Sequence, residues 1–282
     1  ITKVAATLQT TMFLEENGKF DIDDKASRYL PELKKTNKED LVISDILTHQ
    51  SGLIPYIPHW THTIDEFGFK PDFYHLGYNN KYPVQVSQGL YTIPSLPDSL
   101  WKWTIDSDLR KKPRYKKKHD YKYSDLGFYI MREMSERLLN QSISDFLDEN
   151  FYHPLGLPYL GYLPLKRLSV NQIPPTENDI YFRQTLVRGV VHDPGAAMSG
   201  GSAGHAGLFS NAHNLAVLMQ MNLQGGYYGD KQYLQPATIK KFTRKHFEDN
   251  RRGLGWDKPS FYESYNVTSR FSSAGTFGHT GF

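Results

Sequence analysis

Cysteine is absent from this sequence, which excludes disulfide bonds, thiolate nucleophiles and cysteine-ligated metals. No apolar run approaches the roughly 20 residues that a membrane-spanning helix needs, so we expect no membrane span in this chain. The net charge is only +3 over 282 residues. A dedicated nucleic-acid-binding domain is usually far more basic, and we expect no nucleic-acid partner. The chain is nevertheless long enough to bury a large core.

Aromatic residues are abundant, with 19 Tyr and 16 Phe. The tyrosine ring is apolar and its hydroxyl is polar, so tyrosine-rich chains often carry wet clefts or carbohydrate-facing surfaces. A compositional habit of the source explains the abundance equally well. Aromatic residues, proline and glycine are scattered without a sustained period through residues 54–122, which predicts a long insertion that forms part of a cleft wall. The basic run that ends it, from Arg110 to Lys118, is interpreted as a solvated loop.

Two segments have the clear periodicity of helices. Residues Val4 to Glu16 lack glycine and proline and repeat apolar side chains every four residues, as does the segment from Leu126 to Leu138. Ser144 and Ser210 are expected to cap two further helices. Residues 271–282 alternate small and aromatic side chains, which predicts a strand.

Ile1-Thr2-Lys3 stands at the head of the first predicted helix. In S-x-x-K hydrolases the serine lies at a helix start and the lysine one turn later, so both side chains share a face and the ammonium stabilises a developing alkoxide. In this chain the serine position would precede Ile1. We therefore expect the serine just upstream and no acyl-enzyme from residues 1–282 alone.

Two further short motifs carry chemistry when taken together with Lys3. Tyr123-Ser124-Asp125 directly precedes the second helix, and a lysine nearby would lower the pKa of the Tyr123 phenol so that it acts as a base. His279-Thr280-Gly281 follows the predicted strand, where Thr280 can present its hydroxyl and Phe282 its N–H to a bound carbonyl. His279 would be partly charged near neutral pH and pair with a substrate carboxylate.

The order and spacing of these three motifs resemble the serine beta-lactamase-related superfamily, which includes class C beta-lactamases, D-alanyl-D-alanine peptidases and esterases. In that family S-x-x-K, Y-x-N and K/H-T-G occur in this order. Similar segments lie between them, at residues 45–53, 154–157 and 207–210. The resemblance implies an α/β (α+β) beta-lactamase/transpeptidase-like fold, in which a helical subdomain adjoins an antiparallel sheet flanked by helices. It implies a single domain over 1–282, truncated at both ends.

Within the superfamily, one subgroup is the most similar: serine hydrolases linked or fused to beta-N-acetylglucosaminidases. The similar segments are Pro174 to Glu177, Val191-His192-Asp193 and Gly204 to Phe209. That resemblance implies a periplasmic or cell-envelope amidase, peptidase or esterase that acts on peptidoglycan fragments, with a fused or neighbouring glucosaminidase as a possible partner and no cofactor. Hydrogen bonding is favoured over a metal site for His192, Asp193 and His205, because no compact ligand spacing occurs.

Two departures from the family pattern matter. Asp125 stands where beta-lactamases have Asn, and an ionised carboxylate cannot donate to a substrate amide oxygen. His279 replaces Lys, which favours peptidases, amidases and esterases over penicillin hydrolysis. The residues expected to be catalytic are Lys3, Tyr123, Asp125, His279 and Thr280, with the Phe282 N–H in the oxyanion hole and Gly281, His192, Asp193 and His205 in substrate binding. The alternatives are a non-catalytic module that binds wall fragments, a beta-lactamase or esterase, and a carbohydrate-facing structural protein.

Overall fold

The computed structural model describes residues 1–116, 118–260 and 271–281. A buried helix that begins near residue 3 lies in the larger of its two cores. This first helix comprises a π-helical turn, Lys3–Thr7, and α1, Leu8–Glu16, which confirms the helix predicted there. Its polar side chains are buried with its apolar ones, and they bond within the protein. Thr11 Oγ1, for example, donates to the Thr7 carbonyl at 2.7 Å.

Three further helices pack on α1. The α-helices after α1 are α2 (Ile43–Leu47), α3 (Leu96–Asp106), α4 (Leu126–Leu139), α5 (Ile143–Leu147), α6 (Pro194–Met198), α7 (Ala212–Leu223) and α8 (Pro236–Thr243). A π-helical turn, Asp148–Tyr152, extends α5, and 3-10 turns lie at Ala26–Arg28, Pro31–Leu33, His59–His62, Pro164–Lys166 and Val170–Gln172. The helices on α1 are α4, α5 and α8. No helix in the described part of the chain has both the length and the apolarity to cross a bilayer.

The boundaries of α4 confirm its prediction, whereas two predicted caps are wrong. Ser142, not Ser144, caps α5, because its Oγ accepts the Asp145 N–H at 3.1 Å. Asn211, not Ser210, caps α7, where its Oδ1 accepts from Asn214 N at 2.8 Å. Each predicted cap lies one or two residues from the real one. Because several neighbouring residues have cap-forming side chains, only the backbone conformation selects among them.

The strands are short and antiparallel. They are β1 (Ile64–Asp65), β2 (Gly68–Phe69), β3 (Tyr74–Leu76), β4 (Val84–Ser87), β5 (Leu90–Thr92), β6 (Glu177–Asp179), β7 (Thr185–Val187), β8 (Tyr227–Tyr228) and β9 (Lys231–Gln232). One sheet has the order β3-β5-β4, and the others are two-stranded pairs, β1-β2, β6-β7 and β8-β9. A second core lies between the three-stranded sheet, α3 and α6, and contains Val86, Leu100 and Met198.

The expected mixture of helices and antiparallel sheet is confirmed, but the strand predicted at 271–282 is not present among its described residues. Residues 271–281 form a single bridge, in which Gly278 pairs with Asp257. A strand needs several consecutive paired residues on a neighbour, and the described neighbour at Asp257 supplies one. Phe282 lies outside the described residues.

Candidate active site

A cleft of about 970 Å³ opens where the start of the first helix meets the loop before α4 and residues 279–281. Nine predicted site residues line it: Lys3, Tyr123, Asp125, His192, Asp193, His205, His279, Thr280 and Gly281. The tertiary structure therefore brings together residues that are as much as 278 positions apart in sequence. Phe282, the predicted oxyanion-hole donor, lies outside the described residues, and its role stays a prediction.

Lys3 and Asp125 form an ion pair at the floor of the cleft. Lys3 Nζ lies 2.7 Å from Asp125 Oδ1, and the two side chains are 8% and 22% exposed. Burial lowers the pKa of an ammonium group, but the Asp125 carboxylate and the Tyr123 hydroxyl outweigh burial, and the pKa of Lys3 is raised. Lys3 is therefore held as a cation at neutral pH, and its charge rather than its basicity is available for chemistry.

The loop that carries Tyr123 is held rigidly by residues 49–55. Ser124 N donates to His49 Nδ1 at 3.2 Å, and Ser124 Oγ donates to the Ile54 carbonyl at 2.6 Å. The His49 ring packs on the Tyr123 ring, with centroids 4.4 Å apart. Burial lowers the pKa of His49 well below its usual value, so the ring is neutral and its Nδ1 is free to accept. Residues 49–55 thus act as a scaffold for Tyr123.

The pKa of Tyr123 shifts in the direction opposite to the prediction. Burial raises the pKa of the phenol, and this effect outweighs the lowering by the Lys3 and Arg252 charges. Lys3 Nζ lies 5.0 Å from the centroid of the Tyr123 ring. Tyr123 is therefore a protonated phenol in the resting site, and any role as a base requires its proton to leave during the reaction.

The hydrogen bonds of His279 define where the Tyr123 proton points. His279 Nδ1 lies 2.5 Å from the Thr280 carbonyl, which can only accept, so Nδ1 carries a proton. Burial, reinforced by the charges of Arg252 and Lys3, lowers the pKa of His279 to about 3. The ring is therefore neutral, its Nε2 is an acceptor, and Tyr123 Oη donates to it over 3.4 Å.

A neutral His279 corrects the prediction that this residue pairs as a cation with a substrate carboxylate. The positive charge on that side of the cleft comes from Arg251 and Arg252, which the sequence reading missed. Both guanidinium groups contact a single carboxylate, Asp257, at 2.7 and 3.2 Å, so the trio keeps one net positive charge. The only sequence signal for these two residues is that they are adjacent arginines directly before a glycine.

Arg252 lies in the cleft with part of its guanidinium group unpaired among the described residues. The residue is 4% exposed, it lines the cleft, and its Nη2 donates to Tyr121 Oη at 3.1 Å. Its Nε and Nη1 have no hydrogen-bond partner among the described residues. Buried guanidinium N–H groups without a partner are costly, and a planar carboxylate satisfies two of them at once.

The opposite wall of the cleft holds the predicted substrate-binding residues. His205 Nε2 donates to Asp193 Oδ1 at 2.9 Å, while the His205 carbonyl faces Lys3. Burial lowers the pKa of His192. Beyond them the wall becomes apolar, with Ile173, Val191 and Leu208 among its side chains. The cleft is therefore cationic at the Arg252 end and apolar at the other.

Comparison with known proteins places this architecture among related chains. A family model described as Beta-lactamase matches residues 1–282. A relative from Escherichia coli (strain K12), named "Putative D-alanyl-D-alanine carboxypeptidase", is 32% identical over 299 residues. That alignment takes in 100% of this chain and 62% of the relative, so the chain spans less than two thirds of the relative's length.

Two solved structures show the same fold. A penicillin-binding protein homolog from Caulobacter crescentus matches with a TM-score of 0.63 and 18% identity, over 100% of this chain and 70% of that one. A D-stereospecific amidohydrolase from a Streptomyces species matches with a TM-score of 0.58 and 18% identity, over 92% of this chain and 70% of that one. At these identities the likeness concerns the fold.

Proposed function

Because this chain belongs to the beta-lactamase family, we propose that the full-length protein is a serine hydrolase that cleaves an amide bond through an acyl-enzyme. The observation that carries the proposal is the convergence of Lys3, Tyr123 and His279-Thr280-Gly281 on one cleft. The proposed nucleophile is a serine directly before Ile1, one helical turn from Lys3. The roles given below to the site residues are part of this proposal.

The proposed proton path follows from the charge states of the site. Lys3 is already protonated, so the serine proton passes to Tyr123 Oη while the phenol proton moves to His279 Nε2. The serine oxygen then forms a bond to the carbonyl carbon, and the Lys3 ammonium stabilises the negative charge that develops beside it. Collapse of the tetrahedral intermediate expels the amine, which takes its proton from Tyr123 Oη while the proton on His279 Nε2 returns to that oxygen. Water hydrolyses the resulting ester.

The proposed substrate ends in a free carboxylate, as in a peptide with terminal D-alanine. Arg252 supplies the cationic receptor, and the named activity of the Escherichia coli relative supports the same substrate class. Asp125 is engaged by Lys3 and cannot donate to a substrate amide oxygen, which supports peptide rather than penicillin hydrolysis. We place the protein in peptidoglycan or muropeptide turnover in the periplasm or cell envelope, with a beta-N-acetylglucosaminidase as a fused or neighbouring partner.

The test uses the full-length protein with an N-acylated peptide that ends in D-alanyl-D-alanine. We expect release of D-alanine, and we expect a phosphonate ester analogue to form a covalent adduct on the serine before Ile1, detected by mass spectrometry. A serine-to-alanine variant is the control and should show neither result. Saturable binding of wall fragments without turnover or adduct would replace the hydrolase by a binding module.

Arg252→Gln is expected to raise KM for the carboxylate-terminated peptide by about 10–100-fold, because it removes charge-assisted hydrogen bonds to the substrate. The matched control is Arg188→Gln, since Arg188 lies near the cleft wall but bonds to the backbone carbonyl of Ile173. Steady-state kinetics are compared for the peptide acid and the peptide amide. Equal KM changes for both substrates would contradict carboxylate binding at Arg252.

A further inference from the structure

Three acceptor groups lie around the Lys3 ammonium. They are the Asp125 carboxylate at 2.7 Å, the Tyr123 hydroxyl and the backbone carbonyl of His205 at 3.4 Å. Two of them belong to the same loop before α4, whereas the His205 carbonyl comes from the opposite wall of the cleft. The direction in which the ammonium points therefore depends on how that wall is held.

The segment around His205 follows the start of the first helix closely. Thr7 Oγ1 donates to the Gly204 carbonyl at 2.6 Å, and Leu208 N donates to Thr2 Oγ1 at 3.2 Å. The two glycines that flank His205 and Ala206 have no room for a side chain. A Cβ at Gly204 would lie 2.1 Å from the Phe128 carbonyl oxygen, and Gly207 has φ +114°. The backbone is thus packed at both sides of His205.

The side chain of His205 restricts how its own backbone peptide group can rotate. Its Nε2 donates to Asp193 Oδ1 at 2.9 Å, and that same oxygen accepts the Ala196 N–H at 2.7 Å as the cap of α6. The imidazole stacks on Tyr129, with ring centroids 4.4 Å apart and an interplanar angle of 19°. Tyr129 lies on α4, one turn after Asp125. A closed network therefore joins Lys3, Asp125, α4, His205 and Lys3 again.

We propose that Asp193 and His205 are a positioning pair, which sets the direction of the Lys3 ammonium through the His205 carbonyl. The inference rests on the proposed function of Lys3 and assigns to both residues a role other than substrate binding. His205 Nδ1 is buried and has no hydrogen-bond partner among the described residues. The ring is consequently held by Asp193 and Tyr129, and removal of the Asp193 bond releases it.

The experiment compares His205→Phe, Asp193→Ala and Asp193→Asn in the full-length protein. Phenylalanine keeps a ring against Tyr129 but removes the hydrogen bond, so we expect kcat to fall about tenfold, the effect of one hydrogen bond to a charged group, while KM changes less than twofold. Asp193→Ala should lower kcat by a similar factor, because it removes the same hydrogen bond. Asp193→Asn retains an acceptor for His205 and for the α6 cap, so it should recover most of kcat.

The control is Asp179→Ala, which breaks another buried ion pair, that of Asp179 Oδ2 with Arg183 Nε at 2.7 Å, outside the cleft. It should lower the midpoint of thermal unfolding without a selective loss of kcat. If Asp179→Ala and Asp193→Ala lower kcat equally, or if folded His205→Phe keeps full kcat, the positioning role is wrong.

A second readout does not require turnover. The Nζ resonance of Lys3 in ¹⁵N-labelled full-length protein should be sharp and slowly exchanging, because the ammonium is buried and ion-paired with Asp125. We expect it to broaden in His205→Phe and to persist in Asp179→Ala. An unchanged Lys3 resonance in His205→Phe overturns the positioning pair. Absent turnover in the wild type, with the resonance changing as expected, overturns the hydrolase and leaves the pair standing.

Discussion

Lys3→Met is expected to lower kcat of the full-length protein by about 10³-fold. Methionine fills similar space but removes the charge that stabilises the serine oxygen during the reaction. In the proposal the substrate carboxylate is bound by Arg252 and not by Lys3, so KM should change little. Single-turnover kinetics with the D-alanyl-D-alanine peptide would show the loss in the acylation step.

The same variant leaves Asp125 without its partner, so a loss of stability must be separated from a loss of chemistry. Leaving a half-buried carboxylate unpaired costs about 1–3 kcal/mol of unfolding free energy. A double variant, Lys3→Met with Asp125→Leu, removes both charges and should recover most of that stability in urea denaturation while remaining inactive. If the double variant regains turnover, Lys3 acts through folding and its proposed catalytic role is wrong.

Tyr123→Phe is expected to lower kcat by about 10²–10⁴-fold, the contribution typical of a positioned proton-transfer group. Phenylalanine retains the packing on His49, so the loop before α4 should keep its structure. Only the hydroxyl between Lys3 and His279 is lost, and the serine proton then has no acceptor in the proposed path. The measurement is kcat over a pH series, with circular dichroism to verify folding.

Tyr121→Phe is the matched control, because Tyr121 lines the same cleft and its hydroxyl accepts from Arg252. Its loss should affect mainly KM, through Arg252, and leave kcat nearly unchanged. If both tyrosine variants lower kcat by the same factor, proton transfer is not specific to Tyr123. If neither lowers it, another group carries the proton and the proposed path is wrong.

The helices that the sequence predicted correctly are those with a long, uninterrupted period. The first helix and α4 contain no proline, the one glycine is the second residue of α4, and their apolar repeat matches the helical period. The caps of α5 and α7 and the strand at 271–282 were predicted wrongly. Those features depend on a single backbone conformation or on a neighbouring strand, and local sequence specifies neither.

The candidate site also has features that the sequence predicted and features that it did not. Residue types in order determined the catalytic candidates, since Lys3, Tyr123 and His279-Thr280-Gly281 are chemical groups whose reactivity is written in the side chain. Sequence also determined the family resemblance that the match over residues 1–282 supports. The sequence did not determine the charge states of the candidate residues. The raised pKa of Tyr123 and the lowered pKa of His279 arise from burial, a property of the whole packed chain.

Tertiary structure alone decided that Arg252 shares the cleft with those candidates, and how the predicted residues Asp193 and His205 connect to Lys3. Arg252 reaches the cleft from a segment without a recognisable motif, and the Asp193–His205 pair reaches Lys3 through a backbone carbonyl that every residue type possesses. A contact through a backbone carbonyl does not depend on the residue type, so the sequence does not reveal it. The effect of a charge depends on the groups that surround it. For that physical reason the sequence named the reactive groups, and the fold decided how each is charged, oriented and supported.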